Sequence, residues 1–129
     1  PTADALRALT KTRGRHMAGH GAVETKTQDG AVIVSPTGDV DMSCSPKLRE
    51  SLRAAQDRSP DRLIVDLSSV QYMDSSGLAT LVEAMKNAKG AQTRLVLAGM
   101  NPKVKAIFEI ARLHQYFLIV DSTADAMNA

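Results

Sequence analysis

Residues 63 to 81 read LIVDLSSVQYMDSSGLATL, and this stretch decides the fold. Leu63, Ile64 and Val65, ending at Asp66, form a continuous apolar run, the pattern of a strand buried on both faces. A helix begins near Ser75 and runs to about Lys89, because Leu78, Leu81, Val82 and Met85 recur at i, i+3, i+4 and i+7; Gly90 is its expected stop. Between them an exit loop hands over to the helix at MDSSGLAT, which places Ser75 and Ser76 at the helix N-terminus. Backbone N–H groups there lack intrahelical partners and carry partial positive charge. A serine at that point can therefore cap the helix, and can hold a phosphate without unfolding it.

Working toward the N-terminus, Arg58 to Asp61 is polar, contains Pro60 and closes a connection. Before it, Ser45 as N-cap and Pro46 at the first helical position start a helix to about Gln56, with Leu48, Leu52 and Ala55 on its inner face. Thr37 to Ser45 reads as a loop carrying Gly38, Asp39 and Asp41. Residues 22 to 27 and Ala31 to Pro36 read as two strands joined at Gln28, Asp29 and Gly30, a hairpin.

Toward the C-terminus come a strand at 94–98, a helix at 102–111 introduced by Asn101 and Pro102 with Val104, Ile107 and Phe108 inward, a strand at 117–120 and a last short helix from about Thr123. A hairpin followed by alternating strands and helices implies an α/β fold with a mostly parallel sheet and right-handed crossovers.

A chain of 129 residues suits one domain with its own core, here aliphatic, since there is no Trp and only two Phe and two Tyr. The domain is expected over residues 22–129. Residues 1–21 read as a flexible tail in which residues 4 to 11 suggest a short helix. The pair His16 and Met17 resembles the scar where a coding sequence joins a vector tag, so native and foreign origins of the tail both stand. His16 and His20 lie at i, i+4, but Gly19 between them and the lack of further ligands argue against a metal site.

The charge is uneven. Residues 1–21 carry a net +3 and the remainder a net −1, so the pI near 8.9 reflects the tail and not a basic domain face. With few aromatic residues to stack on bases, direct nucleic-acid binding is not expected. Cys44 is the single cysteine, which suits a reducing compartment and reads as a small loop residue and not a reactive thiol. No apolar run approaches the ~20 residues that span a bilayer, and no secretory signal pattern is present, so a cytoplasmic location is expected.

The segment LIVDLSSVQYMDSSGLATL, preceded by GDVDM (38–42) and followed by RLVLAGMNPKVKAIFEIARL (94–113), resembles a STAS domain of the anti-sigma-factor antagonist type over roughly residues 22 to 127. The resemblance implies a central mixed sheet, an N-terminal hairpin followed by parallel strands, packed with about four helices. It implies further that the first serine after the aspartate, Ser75, is phosphorylated by an anti-sigma factor that is itself a serine kinase with a GHKL-type ATP site. In that family the unphosphorylated antagonist binds the kinase and frees the sigma factor, and a metal-dependent serine phosphatase resets the switch. The expected partners are thus this kinase and this phosphatase, with the chain a monomer or weak dimer and no cofactor.

Within that frame Asp39, Asp41, Met73, Asp74, Ser76, Gly77 and Leu78 are the expected partner-binding residues around Ser75. If the loop after the second strand lies beside the 67–75 loop, as the family fold implies, Asp39, Asp41 and Asp74 surround Ser75 with negative potential. A phosphate of about −1.5 to −2 charge then meets like charge. Gly77 would let a kinase approach the hydroxyl closely. Met73 reads either as an adaptable contact or as packed gap-filler. Two residues stand apart: Ala79 occupies a place where the family often has a second glycine, and Ser76 offers a second hydroxyl.

Other functions fare less well. The turn resembles a nucleophile elbow, but the full GxSxG frame is missing and His114, the domain's histidine, follows a helix, so the serine has no evident base and no catalytic residue is expected. The three aspartates match no calcium-loop spacing, and no metal is expected. Residues 73–80 hold one glycine and no lysine, which is no phosphate cradle for a nucleotide. The alternative is a non-switching STAS module of a transporter, a stress-sensing scaffold or a lipid-transport complex.

Overall fold

The computed structural model describes residues 22–129; the tail readings, including the short helix and the His16 and His20 pair, lie outside the described residues. Strand β1 (Val23–Gln28) pairs antiparallel with β2 (Ala31–Pro36). Asp29 and Gly30 both take positive φ, 49° and 81°, the primed turn that matches strand twist in a two-residue hairpin. After β2 the chain forms β3 (Gly38–Val40) and α1 (Ser45–Gln56), then β4 (Arg62–Asp66), β5 (Val70–Met73) and α2 (Ser75–Ala91). β6 (Arg94–Ala98), α3 (Pro102–Ile110), β7 (Leu118–Val120) and α4 (Thr123–Met127) complete it.

The main sheet has the order β1-β2-β4-β6-β7, and every pair after the hairpin is parallel. The apolar run that suggested a doubly buried strand lies at its centre. Leu63 and Val65 enter the core shared with Leu48, Leu52, Leu81 and Phe108 under α1, α2 and α3, while Ile64 packs on the other face with Ile33, Val96 and Ala126 of α4. Arg62, at the start of β4, ties α4 down by donating to the carbonyls of Met127 and Ala129, both at 2.7 Å.

Two stretches expected as loops contain a second, smaller sheet. β3 and β5 pair in parallel, with Gly38 opposite Val70 and Val40 opposite Met73. One residue, Asp39, therefore faces two, Gln71 and Tyr72, a bulge that breaks the alternation by which strands are recognised in a sequence. The side chain of Asn101 braces this ribbon from α3, accepting from Val104 N–H at 2.8 Å while donating to the Val70 carbonyl at 3.0 Å.

Helix ends also differ from expectation in two places. α1 begins one residue early, with Cys44 and not Ser45 at the N-cap, and no side chain caps it. Gly90 does not stop α2: the helix continues through Ala91, Gln92 takes the left-handed conformation at φ 60°, and Thr93 N–H reaches the Ala88 carbonyl at 2.8 Å, a Schellman closure. The inward face of α3 is Val104 and Phe108, with Ile107 half-buried.

Candidate functional site

The ribbon delivers two loops to one place. The Asp74 N–H donates to the Val40 carbonyl at 3.1 Å, extending the parallel ladder one step past Met73, so that the chain after β3 runs level with the start of α2. The burial of Val40, Val70 and Met73 under α2 and α3 fixes this register, since each would lose its core contacts on a shift by one residue.

Asp74, not a serine, caps α2. Its extended backbone turns the carboxylate back over the first turn, where Oδ1 accepts from Ser76 N–H at 2.9 Å, Gly77 N–H at 3.2 Å and the Ser76 hydroxyl at 2.6 Å. The Ser76 hydroxyl bond above all, and the two backbone N–H groups, hold the Asp74 carboxyl below its usual range, against partial burial and the nearby charge of Asp41. Ser76 is thus locked by a charge-assisted bond, and its carbonyl in turn accepts from the buried Thr80 hydroxyl at 2.8 Å.

Ser75 is different. It is the first residue of α2, it is exposed, and its hydroxyl has no hydrogen bond among the described residues. Four backbone donors around the helix start are engaged: Asp74 N–H by Val40, those of Ser76 and Gly77 by the Asp74 carboxylate, and Leu78 N–H by the Asp74 carbonyl. A phosphate on Ser75 would project from an end whose positive potential a carboxylate has already met.

Asp41 lies close enough to Asp74 for each charge to bear on the site, and its own carboxylate accepts from the backbone N–H and hydroxyl of Ser43 at 2.9 and 2.5 Å. Asp39 is half-buried on β3, on the side of the strand opposite the buried Val40. Cys44, beneath the loop, is buried, and burial first and then Asp41 push its thiol up, against Lys47, so it stays protonated.

Two expected partner contacts have internal duties. Met73 is 1% exposed and belongs to the core; it is the packed member of its two readings. A Cβ on Gly77 would sit 2.5 Å from Met73 Cγ, 2.9 Å from Val40 Cγ1 and 3.1 Å from the Val40 carbonyl, so the glycine lets α2 lie against the ribbon. Leu78 is half-buried and lines a shallow groove with Ala79, Val82 and Leu113. His114 is exposed in the turn after α3, and no group of three His, Cys, Asp or Glu side chains among the described residues is arranged to hold a metal ion.

The reading of the sequence passed over Met42 and Tyr72, which are 77% and 50% exposed beside this site. A large apolar residue directly after Asp41 was the available signal for the first; the bulge that exposes the second leaves none.

The STAS domain family matches residues 22–126 of this chain. An anti-sigma-B factor antagonist of Listeria monocytogenes is 36% identical over 93 residues, covering 71% of this chain and 82% of the relative. Among solved structures, an anti-sigma factor antagonist from Mycobacterium paratuberculosis superposes with a TM-score of 0.77 at 24% identity, covering 83% of this chain and 91% of that one. The Bacillus cell fate determinant SpoIIAA in its phosphorylated form superposes at 0.66 with 17% identity, covering 83% and 97%, and shares the fold. No helix among the described residues is long and apolar enough to cross a membrane.

Proposed function

This chain belongs to the STAS domain family, among its anti-sigma-factor antagonists, and from that premise we propose that it is a binding regulator switched by phosphorylation of Ser75. In the unphosphorylated state it binds an anti-sigma serine kinase in the cytoplasm and frees the sigma factor; the phosphorylated state does not bind, and a serine phosphatase restores it. The observation that carries this reading is the contrast between adjacent hydroxyls: Ser75 is exposed and unbonded among the described residues, while Ser76 is tied to Asp74. A kinase needs a hydroxyl it can reach and orient, and Ser75 offers one on a rigid helix start.

The effect of the phosphate follows from charge. About −1.5 to −2 added beside Asp74 and Asp41, with the N–H groups of Ser76 and Gly77 already engaged by the Asp74 carboxylate, makes an acidic projection. An interface formed around a neutral hydroxyl then has to desolvate that charge, which disfavours the complex without disturbing the core.

Incubation with a GHKL-type anti-sigma kinase and ATP tests the assignment by intact mass. One phosphate is expected on the protein and none on Ser75→Ala. Equal phosphorylation of Ser75→Ala would move the site elsewhere, and no phosphate on either would sink the switch.

A further inference from the structure

Met42, Tyr72, Ile110 and Leu118 are the large hydrophobic side chains left exposed among the described residues, and the first two flank Ser75. Scattered apolar side chains on a surface ordinarily carry no message. These two are held out by specific backbone devices. The Asp41 carboxylate closes a turn onto Ser43 N–H and hydroxyl, which leaves Met42 at the tip, 77% exposed. The bulge in β5 sets Gln71 and Tyr72 together opposite Asp39, so Tyr72 faces outward while the next residue, Met73, still turns into the core.

Register places both beside the phosphoacceptor. Val40 lies opposite Met73, the Val40 carbonyl holds the Asp74 N–H, and the charge of Asp41 bears on Asp74, so the turn that carries Met42 lies beside the start of α2. Tyr72 precedes Ser75 by three residues on the partner strand. Asp41 directly precedes Met42 and Asp74 follows Tyr72 by two residues, so a carboxylate accompanies each of them.

From this arrangement we infer that Met42 and Tyr72 are the affinity and specificity anchors for the kinase, entering an apolar pocket whose rim is basic. The inference rests on the antagonist reading above. Rim carboxylates that stay partly solvated steer association and set its salt dependence more than its strength. Affinity must then come from side chains that bury apolar surface, for which Tyr is among the most effective and Met among the most adaptable. A phosphate on Ser75, at the helix start between the Met42 turn and β5, would bring its charge to the same pocket, and this explains how one modification can remove both anchors from use.

The test measures kinase binding for wild type, Met42→Ala, Tyr72→Ala, Met42→Leu and, as a remote control, Ile110→Ala, with the anti-sigma kinases of the source genome expressed and assayed one at a time. Thermal unfolding is followed alongside. Each alanine variant at an anchor is expected to bind about tenfold or more weakly, with melting unchanged and Met42→Leu falling between Met42→Ala and wild type, while Ile110→Ala stays near wild type. Peroxide oxidation of Met42, read by peptide mass, should slow in the complex. If wild type is phosphorylated on Ser75 but both alanine variants bind within twofold of it, or Ile110→Ala weakens binding as much, or Met42 oxidises equally fast in the complex, the anchor inference is overturned and the antagonist reading survives. If wild type neither binds nor is phosphorylated by any of these kinases, both fall.

Discussion

Helices α1 and α2 both start where a strand of the small ribbon ends, and the two starts are built in opposite ways. At α2 the preceding aspartate turns its carboxylate onto the helix, bonding Ser76 and Gly77. At α1 the preceding aspartate, Asp41, turns its carboxylate onto Ser43, and the N-cap, Cys44, makes no side-chain capping bond. The difference teaches what each loop is for. The α2 carboxylate takes over the capping work, so Ser75 is left with nothing structural to do. The α1 carboxylate shapes a turn that holds Met42 in solvent, and the helix behind it relies on Pro46 and on burial of Leu48 and Leu52.

The largest effect should come from the contact between the α2 start and the ribbon. Gly77→Ala places a methyl against Met73 and the Val40 carbonyl, and should cost about 1–3 kcal/mol in denaturant unfolding. A neutral result would mean that α2 moves off the ribbon freely, and the shared register of the two loops would no longer hold.

Next in size is the cap itself. Asp74→Ala should lose about 1 kcal/mol, and Asp41→Ala, which leaves no helix uncapped, should lose less in the same assay. Equal losses would erase the contrast between the two starts. The same carboxylate sets a pH signature. Its folded-state pKa lies below the unfolded value of about 3.9, so its contribution is fully present above that value and is lost as pH falls through the folded-state pKa. Asp74→Asn should therefore flatten the acid limb of stability relative to wild type, while leaving the neutral-pH plateau lower.

Smallest is the comparison of the two serines. Ser76→Ala removes a hydroxyl bonded to a carboxylate and should cost more than Ser75→Ala, which should stay within about 0.5 kcal/mol of wild type. Ser75→Asp should also leave stability within about 1 kcal/mol while abolishing kinase binding. A large fall in the melting temperature of Ser75→Ala would make that serine structural and close the phosphoacceptor reading.

Most of the architecture is legible in the chain because its signals are long: the 63–65 run, the α2 stripe and the Asp29–Gly30 turn each lie within one element and follow one period. The β3–β5 ribbon is illegible for the opposite reason. Three and four residues with a bulge between them have no period to read, and Val40, Val70 and Met73 declare themselves only when brought together. Met73 illustrates the cost, since its place in the core depends on the residue skipped at Asp39. The candidate site was legible as a location, because DSSG before a helical stripe is a helix start. The division of labour within it was not, since Asp and Ser cap almost equally well and only geometry decides between Asp74 and its neighbours.

The bracing of the ribbon by Asn101 has a consequence for hydrogen exchange. The site rests on two short strands joined to the rest by one side-chain amide, a few buried side chains and the Gly77 contact, whereas the amides of β4 lie between two parallel neighbours with both faces covered. The amides around Asp74 should open and reclose at far lower free energy than those of β4. The proposed partner surface can then fluctuate many times over while the central sheet stays closed, and labelling rates at Asp74 would report binding or modification there against a silent background.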